Sequence, residues 1–181
     1  MEPRKVRKRI TYVQKGIPAI EDNLAFVQNK CSVKARQTFI HSETIRLNGW
    51  IDKHYHDRYQ HGDDMGKRDG IDPEIVERLV KKSIKHLLVY SATVKGFRFL
   101  NHEQFAEQGH RVIIREEYGE SMLYVVVQAH LLGIAEFELT VITAVKGDLK
   151  IAAGQYVVEI QENSSNLYKF DNGRFSEIGS F

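Results

Sequence analysis

The clearest pattern of apolar and polar positions lies in the middle of the chain. Ile75, Val76, Leu79, Val80, Ile84 and Leu87 recur at helical spacing and predict a core-facing stripe. Asp72 is a natural N-cap for this helix, Pro73 suits its first position, and Glu74 complements the positive end of the dipole. Just before it, residues 60–72 hold three glycines and four aspartates and predict a loop. Beyond Tyr90 the period changes. Phe97 to Leu100, Arg111 to Arg115, Met122 to Ala129 and Ala135 to Val145 are runs rich in β-branched and aromatic residues and predict strands. Gly119-Glu120 predicts a hairpin turn, and Leu132-Gly133 a second break. Tyr156 to Ile160 predicts another strand and Asn163 to Asn166 a loop. Asp171-Asn172-Gly173, between Tyr168 and Phe175, predicts a terminal hairpin.

The first part of the chain is patterned less sharply. Ile10 to Val13 reads as a short strand, Gly16-Ile17-Pro18 as a turn, and Ala19 to Gln28 as a segment of weak helical period. Thr38 to Trp50 alternates poorly and reads as mixed structure. The expected fold class is α+β, with N-terminal helices packed on an antiparallel β-sheet. The expected organisation is a basic arm and extension over 1–49, a core over 50–146, and C-terminal strands over 147–181 completing the same domain.

Composition narrows the class. A length of 181 residues with 42% apolar side chains suits one globular domain, and a net charge of +2 excludes binding to nucleic acid by bulk charge alone. The basic residues are unevenly placed, with five in residues 1–9. A lone cysteine, Cys31, excludes an internal disulfide and a Cys-rich zinc site, and fits a cytoplasmic protein. The basic start has no apolar run behind it, so no secretory signal is expected. The longest apolar candidate, Met122 to Val145, is interrupted by Gln128, His130, Glu136 and Glu138 and does not read as a membrane span.

Candidate chemistry concentrates in Ile51 to Arg68. His54, His56, His61, Arg58 and the Lys67/Arg68 pair fall within this stretch, upstream of the capped helix. Metal-free RNA cleavage needs a base for the 2′-OH, an acid for the leaving 5′ oxygen, and cations on the developing phosphorane. Imidazole serves as either acid or base near neutral pH, and guanidinium presents a fork to phosphate oxygens. If residues 53–60 are helical, His54 and Arg58 are one turn apart, as are His56 and Gln60. Lys81, Lys82 and Lys85 offer further phosphate contacts, although a solvated helix face explains them equally simply. Tyr55, Tyr59 and Phe99 are aromatic candidates for stacking on bases, with core packing the plainer role for Phe99.

The His56 to Arg58 string, the basic pair Lys67/Arg68, and the run from Gly70-Ile71 through Val80 resemble an H-x-x-R…R-G-I-x-x-x-x-I-x-x-x-I pattern. The first spacing is one residue shorter here. Leu123 to Val127 and Glu138 to Ala144 resemble the "v-v-v" and "v-v-T-v-i-t" strands that follow it. Together, over roughly residues 50–146, the chain is similar to the barnase/EndoU/colicin/RelE-like ribonucleases, found as toxins and phage effectors. The resemblance implies a metal-independent endoribonuclease without a cofactor. RNA would lie in a cleft across the sheet, with an antitoxin, immunity or host protein as a further partner and no membrane. It implies His56 as general acid/base, Arg58 and Arg68 on phosphate, and Thr140 or Thr143 as hydrogen-bonding groups on the last strand. Two departures stand out: the long Gly/Asp loop between the basic sites, and His54, which competes with His56 for the catalytic role.

Two other readings are open. His54 and His56, with Asp57, His61, Asp63 and Asp64 nearby, suggest a metal site of cupin-like type, although Arg58 stands where a ligand is needed. A phage or mobile-element protein that binds nucleic acid or a host protein without catalysis fits the basic residues too, as does an interaction protein using a β edge.

Overall fold

The computed structural model describes residues 26, 28–42, 46–62, 70–102 and 109–181. Chain order is β1 (Ala35–Ser42), β2 (Arg46–Asp52), α1 (Lys53–His61), α2 (Pro73–Thr93), β3 (Leu100–Asn101), β4 (Arg111–Tyr118), β5 (Ser121–Gly133), β6 (Glu136–Lys146), β7 (Tyr156–Ile160), β8 (Ser165–Asp171) and β9 (Arg174–Ser180). The strands form a nine-stranded sheet in the order β1-β2-β6-β5-β4-β7-β8-β9, with the short β3 paired to β5. The Ile10 to Val13 strand and all but the end of the Ala19 to Gln28 segment lie outside the described residues.

The expected fold class is overturned. Two strands precede the helices, only two helices are present among the described residues, and the sheet is mixed rather than antiparallel. Its β2–β6, β4–β7 and β3–β5 pairs are parallel. Residue 50 also falls inside β2, so the sheet draws on residues 35–49.

Poor alternation in Thr38 to Trp50 has a physical cause. Leu47, Asn48 and Gly49 are buried in succession, so residues on both faces of β2 are out of solvent and the period of two is lost. β6 shows the same run of buried residues from Phe137 to Val141.

Helix α2 forms where its stripe and cap predict. The Asp72 carboxylate accepts from the Glu74 amide at 2.8 Å. Val76, Leu79, Val80, Leu87 and Tyr90 face inward. They meet Val125, Val127, Leu139 and Val141 in the main core, where Tyr55 of α1 also packs. The Tyr90 hydroxyl donates to the Ser165 carbonyl at 2.7 Å and ties α2 to β8. The opposite sheet face holds a smaller cluster of Ile113, Val126 and Val157 under Leu149 and Ile151. Next to it Arg115 bonds Glu159 at 2.8 Å and lies over the Tyr168 and Phe175 rings.

Turns follow local chemistry. Gly119-Glu120 closes the β4–β5 hairpin, and Asn172-Gly173, both at positive φ, close β8–β9. The expected break at Leu132-Gly133 falls slightly later, at Ile134-Ala135, since β5 runs on to Gly133.

Leu79 is fully buried beneath the sheet. Leu79→Ala should therefore lower the unfolding free energy in urea by about 2–5 kcal/mol. A loss much smaller than that would show that α2 is not seated on β5 and β6.

Candidate functional site

Helix α1 starts where β2 ends. The Asp52 carboxylate accepts from the His54 amide at 2.8 Å and caps the helix, and Ser32 holds the same carboxylate. Tyr55 fixes the rotation of α1, because its ring is buried and its hydroxyl donates to the Ile71 carbonyl at 2.8 Å. Gly70 lets the returning chain pass close to α1, since a Cβ there would lie 2.5 Å from the Tyr59 Cα.

This rotation sorts the candidate residues. On a helix turning about 100° per residue, His54, Arg58 and His61 fall within one narrow stripe, whereas His56 lies about 200° from His54. His54 and His61 are exposed. Arg58 is half-buried, and its Nη1 donates to the Thr143 Oγ1 at 2.8 Å. Two expected site residues on different elements are thus brought together. Asp57, beside the stripe, is engaged by Lys53 at 3.9 Å.

His56 takes a different place. Its ring meets Phe26 edge-on at 5.0 Å, and its side chain is 13% exposed. Burial first, and then the nearby Arg36 guanidinium, hold its pKa below the usual imidazole value, so it is neutral at pH 7. His56 and Arg58 do not converge on a shared phosphate. His56 packs against the Phe26 ring on the side of α1 away from Arg58.

Thr140 is also displaced from the expected role. It is fully buried, and its Oγ1 accepts from the Asn29 Nδ2 at 2.6 Å. Asn29 to Cys31 lie along β5 and β6 here: the Lys30 amide donates to Glu138 at 2.6 Å, and the Cys31 thiol reaches the Gln128 carbonyl at 3.5 Å. Burial pushes the Cys31 thiol up to about 12, which leaves it protonated and a poor nucleophile. Gln128 and His130, 3.1 Å apart, complete a buried polar layer. A signal for it was present in the sequence: Gln128, His130, Glu138 and Thr140 alternate with apolar neighbours along two strands.

Of the phosphate-binding candidates, Lys67 and Arg68 lie outside the described residues, as do Asp63 and Asp64 of the metal reading. Lys81 is paired with Glu77, and Lys82 with Glu116 at 2.6 Å. Lys85 lies over the Phe181 ring at 5.2 Å. Tyr59 is exposed, while Tyr55 and Phe99 are core. No group of three or more His, Cys, Asp or Glu side chains among the described residues is placed to hold a metal ion. Nor is any helix among them long and apolar enough to cross a membrane. Lys95, Arg98, His102, His110 and Arg111, which carry no motif in the sequence, line two adjoining concavities.

No protein family profile matches the chain, and no curated protein or solved structure is significantly similar to it.

The position of His56 has a pH consequence. Its folded pKa is lowered, so the unfolded chain binds the proton more tightly. The stabilisation is present above about pH 6.5 and is lost as pH falls from there through the lowered value. Thermal melts should show a drop in Tm between pH 7.5 and 5.5 that is smaller in His56→Gln. An identical drop in both proteins would show that His56 is not the group responsible.

Proposed function

We propose that the chain is a cytoplasmic, metal-independent endoribonuclease whose reaction centre is the α1 stripe of His54, Arg58 and His61, with Thr143 behind it. The observation that carries this reading is the Arg58 guanidinium, anchored by Thr143 at 2.8 Å between two exposed imidazoles of the same helix face. The two histidines are seven positions apart, roughly 10 Å along the axis, which leaves room for a phosphodiester between them. One imidazole would take the 2′-OH proton and the other would protonate the leaving 5′ oxygen. The product would carry a 2′,3′-cyclic phosphate. Thr143 limits the rotamers of the Arg58 guanidinium, so it would meet the developing phosphorane charge without reorganising. RNA is the substrate class because the step uses the ribose 2′-OH as nucleophile. An antitoxin, immunity or host protein remains a proposed partner class on the ribonuclease resemblance alone.

Binding without cleavage is the second reading. It is favoured by exposed cations elsewhere on the molecule that have no ion-pair partner among the described residues.

Purified protein should cleave end-labelled RNA in excess EDTA. His54→Ala, His61→Ala and Arg58→Ala should each slow cleavage about a hundredfold or more, whereas His56→Ala should leave the rate per folded molecule within a few-fold. Cleavage abolished by EDTA would overturn the metal-free reaction. RNA binding with no cleavage under any condition would replace the enzyme by the binder.

A further inference from the structure

Away from α1, the end of α2, the connection through Phe97 and the start of β4 enclose a concavity of about 770 Å³. A second concavity of about 440 Å³ adjoins it and shares Arg98, Gly109 and His110. Together they make one groove, in the size range of ligand sites and too large for a single anion. Lys95, Arg98, His102, His110 and Arg111 line it and are exposed. No described lining residue is acidic. Glu103 and Glu107, between His102 and Gly109 in sequence, lie outside the described residues.

These cations differ from those on α2. Lys81 and Lys82 are neutralised by Glu77 and Glu116, while Arg78 and Lys85 of the same helix, like Lys95, Arg98 and Arg111, are in no ion pair among the described residues; the groove differs in gathering its cations around a concavity. Like charges gathered around one concavity without an ion-pair partner among the described residues repel each other, and an anionic ligand relieves that cost.

The groove floor is held in place by a buried side chain. Asn101 is 7% exposed; its Nδ2 donates to the carbonyls of His110 at 3.1 Å and Ala129 at 2.9 Å, and its Oδ1 accepts from the His110 amide at 2.7 Å. Arg111 is steadied through Nε on the Gln128 Oε1 at 3.2 Å. Gly109 leaves bare backbone there, since a Cβ would lie 2.5 Å from the Gln128 Nε2 and 3.0 Å from Asn101. Tyr156 is braced by its hydroxyl on the Gly96 carbonyl at 3.0 Å and by its ring against Phe97.

We infer that this groove is a second binding site, which takes the sugar–phosphate backbone of a single RNA strand. The inference rests on RNA as the ligand of this chain and not on the chemistry assigned to α1. The size of the groove, several spaced cations and a rigid floor fit successive phosphates of one strand.

The test is fluorescence anisotropy with a fluorescein-labelled single-stranded RNA over a series of salt concentrations, using the full chain. Lys95→Gln/Arg98→Gln should weaken binding about tenfold or more and reduce the slope of log K against log salt by about 1.4, the share of two phosphates on a single strand. Arg98→Glu should weaken binding more than Arg98→Gln. Both positions are exposed, and an unchanged Tm will confirm that the fold is intact. Loss of binding in these variants, with binding but not cleavage retained in Arg58→Ala, supports the groove and keeps α1 as the reaction centre. Binding unchanged in the double variant overturns the groove and leaves the α1 reading standing. A wild-type chain that binds no RNA at all overturns both.

Discussion

The central pair β5 and β6 carries an apolar face, with Val125, Val127, Leu139 and Val141, and this face is removed from water beneath α2 and Tyr55 of α1. Their other face carries Gln128, His130, Glu138 and Thr140, all buried. Polar groups taken out of water need partners, and a strand pair of this kind is unstable until both faces are covered by different chemistry. Asn29 to Cys31 supply the second cover with an amide, a backbone N–H and a thiol. That short segment is thus part of the folded unit.

The same core sets what α1 presents to solvent. Tyr55 cannot turn outward without giving up its burial and its bond to the Ile71 carbonyl, so the helix is locked about its axis. Locking Tyr55 inward turns His56 toward Phe26 and frees His54 and His61. Arg58 is then left within reach of Thr143, which is half-buried on β6. A charged group at such a place is oriented rather than mobile, which distinguishes it from a surface arginine.

Charge on this molecule is best judged by pairing. The lysines of α2 look in sequence like a binding patch, but Lys81 and Lys82 are spent on neighbouring glutamates and Lys85 lies over the Phe181 ring. The groove cations Lys95, Arg98, His102, His110 and Arg111 all fall between residues 95 and 111, and the fold places them around adjoining concavities.

What the sequence determined was local. Asp72-Pro73, the stripe through Leu87, the Gly119-Glu120 and Asn172-Gly173 turns and the Tyr156 to Ile160 strand all depend on neighbours a few residues away, and each is found in the structure. Strand order was not legible. β2 pairs with β6 across about ninety residues, and its burial on both faces removes the alternation that marks a strand. Nor could sequence choose between His54 and His56, which differ by two positions and have similar neighbours. Only the seating of Tyr55 in the core decides which imidazole meets solvent, because the rotation of a helix is set by what packs against it rather than by its own residues.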